Sequence, residues 1–276
     1  MSARRARRSE RAPGARHPRW APSWARAVLA GLLLTVAGCL PGMRRSHPLP
    51  PATATGLLEE LAARRAAVRS LRARVRLRAG LAGMWVREVL LVRRPSSVRI
   101  DVLSPFGLAL AVGTDGGLLW AYPAGQGTRY EGAATPANLA RFLGTPATVA
   151  DVVDVLLGTA PRRTPAGPST LRATSRGEYE LVVPLADGAQ RLRFAGDPLR
   201  LIAADETHRD GAALHVTFAD FRDGFPHALE LASAEKSARA SVVYDAAEPN
   251  AAVDAALFAP PPASHVVPLD TAGPRP

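Results

Sequence analysis

The sequence predicts a mainly β protein: a curved antiparallel sheet of about eleven to thirteen strands covered by short helices. Three observations predict it. From Leu71 to Ala79 the residues alternate strictly, with Leu71, Ala73, Val75, Leu77 and Ala79 on one side and Arg72, Arg74, Arg76 and Arg78 on the other, the period of a half-buried strand. Short apolar runs then recur with turn signals between them, among them Arg94-Pro95-Ser96, Asp115-Gly116-Gly117 and Ala186-Asp187-Gly188, at the spacing of an antiparallel meander. Helical periodicity, by contrast, is confined to three short stretches.

Taken in order, the chain begins with an arginine-rich region and an apolar run, Ala27–Ala37, of about eleven residues. At 1.5 Å per residue that is too short to span a bilayer as a helix, so residues 1–38 read as a secretory leader that is removed. The run closes on Val36-Ala37-Gly38-Cys39, which holds the only cysteine in 276 residues. This stretch resembles the bacterial lipobox, and the resemblance implies that Cys39 carries a diacylglycerol and an N-acyl chain. Three acyl chains make a lasting anchor where one is marginal. Residues 39–54 carry Pro41, Pro48, Pro50 and Pro51 without periodicity and read as a flexible tether. Leu40, where an aspartate would signal inner-membrane retention in lipoproteins, resembles the class sorted to the outer membrane.

Residues 55–258 are expected to form one β domain. Thr55 is the expected cap of a first helix whose Leu57, Leu61, Val68 and Leu71 share a stripe. Strands are expected at Leu71–Ala79, Met84–Arg93, Val98–Leu103, Leu108–Val112, Leu118–Tyr122 and Thr128–Glu131. Two helices follow, one capped by Thr135 with Leu139, Phe142 and Leu143 on one face, the other opened by Thr148 and Asp151 in the manner of a capping box. After a loop at 160–170, strands resume at Leu171–Thr174, Glu178–Leu185, Gln190–Phe194, Leu199–Asp205, Ala213–Phe218, Ala228–Ala232 and Ala240–Tyr244. The proline-rich tail, 259–276, reads as extended.

Catalysis finds no constellation here, and no enzyme is expected. Gly-x-Ser-x-Gly, His-Glu-x-x-His and the Walker motif are absent, and Gly113–Gly117, with no Lys-Ser/Thr after it, is a hairpin. Asp205, Glu206, His208 and His215 are the best metal set, yet His208 and His215 stand seven apart, a spacing no common metal motif requires. They read as surface polar groups, Asp151 and Asp154 as solvated helix charges. Neither a metal nor a cofactor beyond the covalent lipid on Cys39 is expected. Removing residues 1–38 takes away eight arginines and one glutamate and lowers the formal net charge from +11 to about +4, so nucleic acid is not an expected partner.

The apolar face of such a sheet is too large for three short helices to fill. The space they leave is either a cavity or ordinary tight core, and the candidate lining residues are Val75, Leu77, Ile100, Val102, Leu110, Leu139, Phe142, Val153, Leu156, Phe194, Val216 and Phe218. The arginine ladder of Arg72–Arg78 meets either solvent or lipid phosphates. From Leu71 to Pro161 the order of motifs (Val98–Gly107, the hairpins, Leu139–Gly144, and Val155-Leu156-Leu157-Gly158-Thr159-Ala160-Pro161) resembles the LolA/LolB superfamily, and the LolB family most, while Asn250–Phe258 resembles a closing motif of LolA-like lipoproteins. The resemblance implies a bent, incomplete barrel lidded by helices, with an acyl-binding cavity. It also implies a membrane-probing loop at Pro105, Phe106 and Gly107, with Phe106 where the LolB family has leucine; the alternative is a tight turn with Phe106 folded back onto the core. The function it implies is that of a receptor and insertase anchored to the outer membrane and facing the periplasm. Such a protein takes acylated lipoproteins from a periplasmic LolA-like carrier and passes their acyl chains to outer-membrane lipids, acting as a monomer. The alternative is a lipoprotein of the same fold that serves envelope assembly or sensing without lipid transfer.

Overall fold

The computed structural model describes residues 49–79, 83–143, 146–211, 213–233 and 239–269. Cys39, the leader, most of the tether and the last seven residues lie outside the described residues. No described helix is long and apolar enough to cross a membrane.

Helix α1 (Ala54–Ala67) leads into six strands: β1 (Ser70–Ala79), β2 (Val86–Arg93), β3 (Ser97–Ser104), β4 (Gly107–Thr114), β5 (Leu118–Pro123) and β6 (Thr128–Ala133). Helices α2 (Pro136–Leu143) and α3 (Val149–Leu156) come next. They are followed by β7 (Thr170–Ala173), β8 (Glu178–Leu185), β9 (Gly188–Gly196), β10 (Leu199–His208), β11 (Ala213–Arg222), β12 (Phe225–Ser233), β13 (Arg239–Pro249) and, after a 3-10 turn at Ala255–Phe258, β14 (His265–Pro268). All fourteen described strands join one curved sheet in the order β14-β6-β5-β4-β3-β2-β1-β13-β12-β11-β10-β9-β8-β7. Since β14 and β7 remain edges, the barrel does not close. The first and last long strands, β1 and β13, pair at its centre, so the meander is two hairpin arrays zipped together by a long-range contact. Every pairing is antiparallel except β14 on β6, which is parallel.

The structure departs from the sequence reading at both ends of the domain. The first helix is capped by Thr53 rather than Thr55: Thr53 has extended backbone, and its hydroxyl accepts from the Gly56 N–H at 3.0 Å. Leu49, Ala52 and Ala54 pack against the core, and the Tyr179 hydroxyl donates to the Pro50 carbonyl, so the tether is bound to the domain from Leu49 onward. At the other end β14 adds a strand where an extended tail was expected, and Leu269 is buried. The structured body therefore extends past 55–258 in both directions.

The helices lie on the inner face of the sheet. Thr148 and Asp151 form the expected capping box, with N–H to side-chain distances of 3.1 and 3.4 Å, and fix α3 so that Val149, Val153 and Val155 are buried against the sheet. The Tyr244 hydroxyl donates to the Leu156 carbonyl at 2.9 Å, and the Phe225 ring meets Tyr244 edge-on. Asp154 is not a solvated helix charge. It is buried, accepting both Arg65 N–H groups at 3.1 and 3.2 Å, an Arg94 N–H, and the Arg162 backbone N–H at 3.1 Å. One carboxylate thus joins α1, α3, the β2–β3 turn and the loop after α3.

On the outer face the C-terminal segment covers β3 to β5. The Trp120 indole is fully buried there, and its N–H donates to the Phe258 carbonyl at 2.9 Å. Gly113, the cross-strand partner of Trp120, makes this possible: a Cβ at position 113 would lie 2.3 Å from the ring. Gly113→Ala is therefore expected to push the indole off the sheet and cost about 1–3 kcal/mol as an overpacking defect, read as a fall in the urea midpoint. An unchanged midpoint would mean that the C-terminal segment does not depend on the indole.

Candidate functional site

Antiparallel pairing brings the C-terminal ends of β1, β3 and β5 and the N-terminal ends of β2, β4 and β6 to one end of the sheet, here termed the tip. The β3–β4 turn is its outermost part. Ser104 Oγ donates to the Gly107 carbonyl at 3.0 Å and accepts the Phe106 N–H at 3.2 Å, and Gly107 has φ +113°. These bonds tie the turn to itself through its polar groups, and Phe106 projects outward, 99% exposed. Leu103 and Leu108, cross-strand partners at the base of the turn, are exposed as well. Met84 (85% exposed) and Trp85 immediately precede β2, whose Arg87 pairs with Leu103, so they stand at the same end. Of the eight large apolar side chains exposed among the described residues, five are therefore gathered at the tip. Burying a side chain such as Phe or Leu is worth about 1.5–3 kcal/mol, so a cluster left in water on this scale marks a contact surface.

Behind the tip, cover on the inner face thins in a regular way. At the far end Leu71, Val92 and Val98 are covered; nearer the tip, Leu77 on β1, Val86 on β2, Ile100 and Val102 on β3, and Leu110 and Val112 on β4 are half-buried. A half-covered apolar strip therefore runs from under the helices toward Phe106.

The structure divides the twelve candidate lining residues along this gradient. Val75, Leu139, Val153, Phe194, Val216 and Phe218 are buried in one contiguous core. Leu77, Ile100, Phe142 and Leu156 pack on its margin, whereas Val102 and Leu110, facing each other across β3 and β4, lie outside it on the strip. Two surface hollows of about 440 Å³ open elsewhere, one beside Arg65, Arg69, Arg93 and Arg94, the other beside Arg191, Asp205 and His215, and none of the twelve lines either.

Sequence reasoning missed Glu88. It lies on the inner face of β2, with Val75 and Val102 as its cross-strand neighbours, 5% exposed and with no hydrogen bond or ion pair among the described residues. Burial alone pushes its carboxyl up from 4.5 to about 7. The four residues weighed as a metal set do not converge. His215 contacts Asp205 on one face of β10 and β11, while His208 meets Glu206 at 3.0 Å and Glu206 also binds Arg163, and strand alternation puts Asp205 and Glu206 on opposite faces. Among the described residues no group of three or more His, Cys, Asp and Glu side chains is placed to hold a metal ion.

A bent, unclosed antiparallel sheet with helices on its inner face is a fold that this chain shares with solved structures. A solved domain from Vibrio parahaemolyticus, named for outer membrane lipoprotein sorting, shares it at 12% identity with a TM-score of 0.51, over 75% of this chain and 97% of that one. A LolA superfamily protein from Nitrosomonas europaea aligns at 12% identity and TM-score 0.48, over 76% of this chain and 99% of that one. A DUF1329 family protein from Desulfovibrio piger aligns at 10% and 0.49, over 75% and 95%. No known protein family and no curated protein matches the chain in sequence.

Proposed function

We propose that this chain is a lipoprotein receptor and insertase at the periplasmic face of the outer membrane, anchored through lipid on Cys39, that accepts the acyl chains of client lipoproteins from a LolA-like carrier and releases them into the bilayer. One observation carries the reading: the exposed apolar tip around Phe106 is continuous with the half-covered apolar strip on the inner face. The mechanism is physical. An acyl chain gains about 0.8 kcal/mol per methylene on leaving water, whether it enters protein or membrane, so transfer needs a strip slightly poorer than the bilayer and a tip that reaches it. No nucleotide enters this scheme. The lipoprotein-sorting name of the Vibrio domain of the same fold supports the reading at the level of class. On depletion of the protein, other lipoproteins should accumulate on their soluble carrier, as fractionation of the envelope would show; normal sorting without it sinks the proposal.

The packing of six candidate lining residues into solid core favours a second reading, in which the same fold holds a protein partner without carrying lipid. Native mass spectrometry of the unit Ser46–Pro276 separates the two. Co-purified acyl chains support the receptor; a lipid-free domain held by a stable protein partner supports the second.

A further inference from the structure

The outer face of β1 and β2 at the tip carries an unbalanced set of cations. Arg76 and Arg87 are direct cross-strand partners, and Arg74 and Arg78 flank Arg76 on the same face. Like charges directly opposite one another destabilise a sheet unless an anion lies over them. Asp245 pairs with Arg76 at 3.0 Å. Of the other outer-face acids nearby, Asp101 is paired with Arg99, and Glu230 stands two strands from Arg78 across Ser241. Trp85 joins the set to the apolar tip: the Arg78 and Arg76 guanidinium groups lie 4.9 and 5.6 Å from its ring centre. An indole between cations and an exposed apolar cluster matches the layering of a bilayer surface, phosphate outside and hydrocarbon within, where tryptophan is enriched.

Resting on the reading that the tip meets a membrane, we propose that Arg76, Arg78 and Arg87, with Trp85 between them and the apolar residues, form a binding surface for anionic phospholipid headgroups. The arginines take the phosphates, Met84 and Trp85 lie at the interface, and Phe106 enters the acyl region. An acidic protein would satisfy the cations but leave the contiguous Met84, Leu103, Phe106 and Leu108 in water, which is why lipid is the occupant chosen.

The test uses Ser46–Pro276, which contains the entire core and so carries its own fold. Its binding is measured by flotation with vesicles of phosphatidylcholine alone and of phosphatidylcholine mixed with phosphatidylglycerol. Each arginine held at an anionic surface contributes about a fivefold gain, so the mixed vesicles should bind on the order of tenfold or more tighter, and added salt should erase the difference. The double substitution Arg78→Gln and Arg87→Gln should abolish the preference while keeping the weaker binding to phosphatidylcholine, and Arg78→Lys with Arg87→Lys should keep the preference. Phe106→Ser should weaken binding to both vesicles alike. Equal binding of the unaltered domain to the two vesicles overturns the headgroup proposal and leaves the membrane-facing tip standing. Binding to neither overturns both, and arginine-dependent retention on immobilised polyglutamate in that case assigns the surface to an acidic protein.

Discussion

Asp154→Ala is expected to cost about 3–5 kcal/mol, because it strips the shared acceptor from two partly buried guanidinium groups and leaves both uncompensated. Arg65 and Arg94 approach the carboxylate from different elements, and each also donates to a backbone carbonyl, Arg65 to Ala160 at 2.7 Å and Arg94 to Val68 at 2.9 Å. They stay in place when Asp154 is removed, as two like charges with little water around them. A domain of this size loses about 2–4 °C of melting temperature per kcal/mol, so the transition should fall by roughly 10 °C. Asp154→Asn should lie close to the alanine variant, since it keeps the shape and removes the charge. Arg65→Ala made in the Asp154→Ala background should recover part of the loss, a coupling that a double-mutant cycle reads directly. A loss under about 1 kcal/mol for Asp154→Ala would show that water reaches the cluster and that the ion pairs behave as surface pairs.

Local signals were legible in the sequence wherever the chain's own period decided the structure. The arginine alternation of β1 marks its two faces without knowledge of a partner, and Thr148 with Asp151 announces the start of α3 because a capping box is closed within four residues. What depended on distant segments was not legible. His265–Pro268 looks like proline-rich tail, and only the free edge of β6 makes it a strand. Asp154 looks like any helix carboxylate until α1 and the β2–β3 turn deliver Arg65 and Arg94 to it. The tip is an intermediate case. Phe106 stands out only through the family resemblance of its loop, while Met84 and Trp85 look like the start of a strand, and their nearness to Phe106 follows from the pairing of Arg87 with Leu103. Glu88 was within reach: with Leu90 and Val92 inward, a period of two places Glu88 inward as well.

Glu88→Gln should stabilise the protein at alkaline pH and leave it almost unchanged near pH 4.5. In the folded state burial holds the carboxyl at about 7, against 4.5 for the group in water. Between these values the folded chain keeps a proton that the unfolded chain has released, so the folded state binds more protons and stability falls as pH rises through the window. Below pH 4.5 both states are protonated and nothing is lost. Above pH 7 both are ionised and the full penalty stands, on the order of 3 kcal/mol for a shift of this size. Glutamine keeps the shape and has no charge to bury, so its urea midpoint should be flat with pH across the window where the unaltered protein declines. Parallel pH profiles for the two proteins would show that the Glu88 carboxylate is solvated and that the inner face beside Val75 and Val102 is open to water. The position gives the measurement its interest for function, since Val102 belongs to the apolar strip that leads to Phe106. A carboxyl that resists ionisation there reports that the inner end of the strip, beside Val75, is shielded from water.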